Sequence, residues 1–257
     1  MVEAGVPGLQ GVETRVASRS DEARTLARML GVEVLRPGRP PRDSFRLVLL
    51  EDAIELWDHD CVRRGNRVDF TTIDTRVGGG NLSKSQPLAR SMGSANGLVV
   101  DATAGFGHDA ALLACMGYDV LAIERSPLVQ VLLQEALERA IIDPRMNKAL
   151  GGRLRVVQAD ALETIPGLDP PPTVIYMDPM FNPKKPPKAL PRKPAQILRR
   201  IVGHDSDAEE LLTMAINVAK RVVVKRADGA EFLGMEPTHS ISGKQVRYDV
   251  YLRDGSG

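Results

Sequence analysis

A chain of 257 residues with 43% hydrophobic content can bury one substantial core and carry a small appended unit, which excludes a disordered or fibrous protein. Charged residues make up 26% and balance to a formal net charge of +1, so any nucleic-acid footprint must be local. Two distant cysteines, Cys61 and Cys115, and four scattered histidines argue against a disulfide framework, a zinc module or any other metal site. There is no basic leader with an apolar segment and no apolar run of about 18 residues, so a soluble cytoplasmic protein is expected.

The first ten residues read as a loose terminus. Val12 to Val16 suits a strand, Asp21 to Leu30 a helix started by Ser20 and ended by Gly31, and Arg36 to Arg42 a loop. Phe45 to Leu50 and Ala53 to Trp57, joined through Glu51 and Asp52, read as a hairpin with alternating faces. Residues 1–75 are thus expected to form a small α/β unit. The segment from Arg76 to Gly97, with Gly78, Gly79 and Gly80 in a row, reads as a mobile connection leading into a helix.

From about residue 76 to 257 the expectation is a second, larger domain, and after Gly97 strands alternate with helices. Leu98 to Asp101 and Asp119 to Glu124 are apolar runs ending in acids, with a helix from His108 to Met116 between them. Pro127 to Ile141 reads as a helix, Arg153 to Gln158 and Thr173 to Asp178 as strands, Asp207 to Ala219 as a helix and Arg221 to Lys225 as a strand. Ser240 and the run Gln245 to Leu252 supply a closing antiparallel pair. The order predicts an α/β protein with a mostly parallel, doubly wound Rossmann-like sheet and an antiparallel C-terminal strand.

Chemistry concentrates at the expected carboxyl ends of these strands, where open α/β sheets bind ligands. Asp101-Ala-Thr-Ala-Gly105-Phe-Gly107-His108-Asp109-Ala110 places a glycine turn between strand and helix. Gly105, Gly107 and Ala110 also fit a dinucleotide fingerprint, but a carboxylate at Asp101 repels a pyrophosphate and suits the ammonium and sulfonium of S-adenosylmethionine. Glu124, 23 residues on, can accept both ribose hydroxyls of an adenosine, and Asp160 can accept from the adenine amine. Each of these acids also has a plainer role available, as a helix cap.

Asp178-Pro179-Met180-Phe181 closes the fourth strand. A nucleobase amine is a poor nucleophile because its lone pair is delocalised into the ring. Asp178 can accept one amine hydrogen, the Pro179 carbonyl another, and Phe181 can stack on the base. Between Asp178 and Asp205 there are seven basic side chains, counting Lys and Arg, and no acidic one. Lys184, Lys185, Lys188, Arg192 and Lys193 suit phosphates on a proline-stiffened loop, and Lys225 can extend that surface.

Taken together, Val68-Asp69-Phe70, Gly78-Gly-Gly80, Val100-Asp-Ala-Thr-Ala-Gly105, Asp109-Ala110, Glu124-Arg125, Tyr176-Met-Asp-Pro-Met-Phe181 and Arg221-Val-Val-Val-Lys-Arg226 resemble the bacterial 16S ribosomal RNA guanine-N2 methyltransferases of the RsmJ type. The resemblance spans nearly the whole chain. It implies transfer of a methyl group from S-adenosylmethionine to the N2 amine of a guanine near the 3′ end of 16S ribosomal RNA, free or in the 30S subunit. It also implies cofactor contacts at His108, Asp109, Glu124, Arg125, Asp160, Ala161 and Asp178. The residues by themselves leave three rivals: an adenine N6 methyltransferase, a nicotinamide-dependent oxidoreductase, and a non-catalytic RNA-binding or assembly factor.

Overall fold

The computed structural model describes residues 6–76, 82–180 and 193–253. Its N-terminal unit is a four-stranded sheet made of β1 (Leu9–Thr14), β2 (Glu33–Leu35), β3 (Phe45–Leu49) and β4 (Ile54–Trp57), in the order β2-β1-β3-β4. Strand β1 runs parallel to β2 and β3, and β3 pairs antiparallel with β4 as the hairpin reading expects. The expected alternation of faces does not hold: every residue of β4 is buried. One face joins the main core, and the other is covered by a small cluster of Val48, Trp57 and Cys61.

Helix α1 (Ser20–Met29) follows a 3-10 turn at Ala17–Arg19. Ser20 does not cap it. Its hydroxyl instead donates back to the Ala17 carbonyl at 2.8 Å, and Arg19 occupies the cap position.

The larger sheet begins after α2 (Pro87–Met92). Strands β5 (Leu98–Asp101), β6 (Asp119–Glu124), β7 (Leu154–Gln158), β8 (Val174–Met177), β9 (Arg221–Ala227), β10 (His239–Ser242) and β11 (Val246–Leu252) lie in the order β10-β11-β9-β8-β5-β6-β7. Within it β11 alone runs antiparallel to its neighbours. Helices α3 (His108–Cys115), α4 (Pro127–Ile142) and α5 (Pro144–Leu150) add apolar residues to one face, and α6 (Ala161–Thr164) and α8 (Ala208–Val218) to the other. This is the expected doubly wound α/β architecture. The strand order reverses direction between β5 and β8, and the crevice outside their carboxyl ends is the topological switch point where such sheets bind ligands.

Elements beyond the sequence reading include β2, α5, the short α6, and α7 (Lys193–Val202), which lies where a continuous loop was expected. The start of α5 follows from Asp143, whose carboxylate accepts from the Met146 N–H at 2.8 Å, with Pro144 in the first turn.

The two sheets share one core. Leu47, Ile54 and Leu56 of the N-terminal sheet belong to the same apolar cluster as Leu128, Leu132 and Ala136 of α4. Polar links reinforce it: buried Glu135 on α4 accepts from the Ile54 N–H at 3.2 Å, and Arg145 donates to the Ile73 carbonyl at 2.8 Å.

Candidate active site

The glycine turn after β5 sets the floor of the site. Gly105 and Gly107 have φ of +54° and +68°, in the left-handed region that favours glycine. At Gly107 a Cβ would lie 2.2 Å from Leu133 Cδ1, so glycine there also lets α3 pack closely against α4. The turn places Thr103 facing β8, where its hydroxyl accepts from the Asp178 N–H at 2.7 Å. Asp178 is thereby fixed by its backbone just beyond β8.

Behind this turn, two carboxylates share one ammonium, with a third buried nearby. Lys225 Nζ, on β9, lies 2.7 Å from Asp109 Oδ2 and 2.9 Å from Asp178 Oδ2. The Tyr176 hydroxyl donates to the same Asp109 oxygen at 2.6 Å. Asp101, 2% exposed, accepts from the Thr103 N–H at 3.2 Å. Burial, with the Asp109 carboxylate beside it, pushes the Asp101 carboxyl well above the usual carboxylate range. Burial opposes ionisation of Asp109 too, but Lys225 and the Tyr176 hydroxyl outweigh it and hold its carboxyl low. Desolvation works against the Lys225 ammonium, and Asp178 and Asp109 more than compensate, so it stays charged.

Asp178 differs from its neighbours in facing outward. Its side chain is 43% exposed, yet its surroundings push its carboxyl above the ordinary value, with Lys225 pulling the other way.

The adjoining cleft runs across the ends of β5, β6, β7 and β8. It is lined by Gly105, Glu124, Arg125, Asp160, Ala161 and Asp178, all singled out by the sequence, together with Thr103, Met180 and Leu198, which were not. Glu124 is buried, and its two oxygens accept from the Gly105 N–H at 2.8 Å and the Ser126 N–H at 2.7 Å. Burial pushes its carboxyl upward while those two N–H groups hold it down. Asp160 caps α6, accepting from the Leu162 N–H at 2.8 Å, and still faces the cleft. Arg125 is spent on a clasp with Asp205 and Asp207, and Asp205 accepts from the Met180 N–H at 2.7 Å.

Four of the expected cofactor residues do not line this cleft: Asp101, Gly107, His108 and Asp109. Asp101 and Asp109 lie in the carboxylate cluster behind it, and His108 is exposed at the start of α3. Lys225 is turned inward, its ammonium committed to two carboxylates. That placement corrects its reading as part of an outer phosphate surface. Pro179 is buried beside Asp178. Phe181, Lys184, Lys185, Lys188 and Arg192 lie outside the described residues, as do Gly78, Gly79 and Gly80, and the Lys193 side chain is likewise not described.

A family described as "Putative SAM-dependent methyltransferase" matches residues 32–253. The ribosomal RNA small subunit methyltransferase J of Shewanella amazonensis is 38% identical over 229 residues, covering 84% of this chain and 91% of that protein. Its counterpart from Thioalkalivibrio sulfidiphilus is 39% identical over 254 residues, covering 93% and 98%. The chain belongs to the ribosomal RNA small subunit methyltransferase J family. It is an S-adenosylmethionine-dependent methyltransferase. The solved structure of a SAM-dependent methyltransferase from Neisseria gonorrhoeae superposes with a TM-score of 0.67 at 27% identity, covering 96% of this chain and 98% of that one.

The residues of the cleft fit that cofactor. A carboxylate has about four acceptor sites, so Glu124 retains two beyond its backbone partners, matching the two hydroxyls of a ribose. Asp160 adds an acceptor at the next strand end, and Ile123, Ala161 and Leu162 add apolar surface. Leu198 and Val202 of α7 form part of the cleft's wall, beside the glycine turn's Gly105 and Thr103 in the same lining. A Cβ at Gly105 would come within 2.8 Å of Leu198 Cδ2. No group of three or more potential metal-ligating side chains occurs among the described residues, and none of their helices is long and apolar enough to cross a membrane.

Proposed function

We propose that the protein methylates the N2 exocyclic amine of a guanine near the 3′ end of 16S ribosomal RNA. The observation that carries this reading is the position of Asp178-Pro179-Met180: beyond β8 at the switch point, anchored by Thr103, with Asp178 and Met180 lining the same cleft as Glu124 and Asp160. The names of the relatives, ribosomal RNA small subunit methyltransferase J, support the RNA substrate.

In this reading Glu124 holds the ribose hydroxyls, Asp160 and Ala161 border the adenine, and Gly105 lets the methionine end approach the backbone. Asp101, Gly107, His108, Asp109 and Arg125 shape and charge the surroundings. S-adenosylmethionine, when bound, supplies an electrophilic methyl group. Asp178 accepts one hydrogen of the guanine amine and the Pro179 carbonyl the other, which fixes the nitrogen lone pair in direction. As positive charge develops on that nitrogen, the Asp178 carboxylate stabilises it and accepts or relays the departing proton. Lys225 is a positioning residue that keeps Asp178 ionised and aimed. Phe181 stacks on the base, and Lys184, Lys185, Lys188, Arg192 and Lys193 contact phosphates. A base must be unpaired or flipped to reach such a cleft, at a cost of a few kcal/mol.

The test uses 30S subunits from a strain lacking this gene, incubated with the protein and methyl-labelled S-adenosylmethionine, then digested to nucleosides. Label in N2-methylguanosine is expected. Label in N6-methyladenosine would replace guanine with adenine as the target, and absence of label in 30S or 16S RNA would overturn the ribosomal substrate.

A further inference from the structure

The loop joining β4 to residue 68 is held with unusual care for a surface connection. Asp58, 5% exposed, accepts from the Asp60 N–H at 3.0 Å and from the Cys61 N–H and Sγ at 3.1 Å each. Glu55, also 5% exposed, accepts from the Trp57 indole at 2.9 Å and the Gly65 N–H at 2.7 Å. Asn66 and Leu56 exchange backbone hydrogen bonds at 2.7 and 2.8 Å. At Gly65 a Cβ would lie 2.4 Å from Trp57 Cδ1, so the backbone lies flat on the indole. Burying two carboxylates to fix one loop is costly unless the loop's shape matters.

What the loop presents is cationic. Residues 61–68 read Cys-Val-Arg-Arg-Gly-Asn-Arg-Val, with three arginines and no acid. Arg63, Arg64 and Arg67 are exposed, and Val62 is 79% exposed beside them. Among the described residues Arg63 and Arg64 make no ion pair, while Arg67 has only a long contact of 3.5 Å to Asp69. Arg39 adds a further guanidinium, its Nε donating to the His59 carbonyl at 2.7 Å.

This loop borders a second cleft of about 340 Å³, with Leu56, Val68, Leu132 and Ile197 as apolar walls, Phe106 among them, and Arg67 at its lining. The two clefts stand back to back. Gly105 and Leu198 face the cofactor cleft, while their chain neighbours Phe106 and Ile197 face this one. An aromatic ring in an apolar slot with Arg67 on its lining, at the edge of a loop that carries Arg63 and Arg64, is the chemistry that takes an unstacked base and its phosphates.

We infer that the residue 61–68 loop and its cleft form a second RNA-binding subsite, holding a single-stranded nucleotide that flanks the target, with its phosphates on Arg63 and Arg64 and its base against Phe106. The subsite rests on the RNA reading of the proposed function. It gives the N-terminal unit a role in substrate binding, gripping the strand on the far side of the glycine turn while the target base enters the cofactor cleft.

The test compares wild type with Arg63→Ala/Arg64→Ala in methyl transfer to unmethylated 30S subunits across a salt series, with cofactor affinity and melting temperature measured alongside. Both positions are exposed, so folding and cofactor affinity are expected to be unchanged. Each lost phosphate contact should lower the slope of log affinity against log salt by roughly one, giving a decrease of about two and a KM raised on the order of tenfold at unchanged kcat. Equal KM and salt slope, with wild type active, would overturn the subsite and leave the RNA reading standing. A wild type that neither binds nor methylates RNA would overturn that reading and the subsite with it. Loss of methylation in cells with unchanged behaviour on purified subunits would assign the loop to a protein partner instead and overturn the inference.

Discussion

Both sheets bury carboxylates, and they use them in opposite ways. In the N-terminal unit each buried acid is surrounded by donors. Glu13, fully buried, receives Arg15 at 2.9 Å on one oxygen, and the Gly38 N–H at 3.1 Å and Arg46 at 3.4 Å on the other. Glu55 and Asp58 are tied to an indole, a thiol and backbone N–H groups. At the switch point of the larger sheet the balance reverses: Asp109 and Asp178 share a single ammonium at Lys225, Asp101 is buried near them, and Asp178 is left facing the cleft. Donors matched to acceptors make a scaffold. Carboxylates in excess, with one half-exposed, leave acceptor capacity that a substrate amine can use.

The largest break in this comparison is expected from Asp178→Ala. Losing a group that orients the amine and stabilises charge should lower kcat by on the order of 10²–10⁴-fold in methyl transfer to 30S subunits, with cofactor affinity retained in a titration. A kcat within about threefold of wild type, less than loss of a general base would cost, would remove Asp178 from the chemistry. Glu13→Ala sharpens the other side. It strips a fully buried acceptor from the Gly38 N–H and two guanidiniums and should cost about 2 kcal/mol in denaturant unfolding, while kcat stays at the wild-type value. A drop in kcat with intact stability would mean the N-terminal acids are not merely scaffold.

Much of this is legible in the sequence because the physics is local. Strand and helix alternation after Gly97 specifies the sheet, and the acids ending β5 and β6 lie where the expected strand ends put them. Six of the expected site residues line one cleft because those strand ends meet at the switch point. What the sequence hides is mostly tertiary. Lys225 reads as surface charge next to Arg226, yet along β9 Val222 and Val224 pack on one face and Val223 on the other, so the two-residue period puts Lys225 on the face of Val223, toward α3 and Asp109. That alternation is available as a signal. Helix α7 is masked by its surroundings: prolines and basic residues precede it, and its apolar stripe of Ile197 and Ile201 makes sense only against the core it joins. The basic loop at 61–68 gives little signal by itself, because three arginines are ordinary until the fold sets Arg67 on one cleft with Phe106 of the glycine turn.

In the proposed mechanism, methyl transfer depends on Asp178 being an ionised acceptor tuned by Lys225. The most direct measurement is the pH dependence of single-turnover methyl transfer to 30S subunits, for wild type and for Lys225→Met. Asp178 must be deprotonated to accept an amine hydrogen, so the rate is present above its folded pKa and lost as pH falls through it. Because that pKa is raised from 3.8, the acid limb should lie above the ordinary aspartate range. Removing the ammonium 2.9 Å away should move the limb further up and slow transfer at neutral pH, with Lys225→Arg restoring part of both. An acid limb that stays in place when Lys225 loses its charge, or a wild-type rate that does not fall on the acid side while the subunits stay intact, would contradict it.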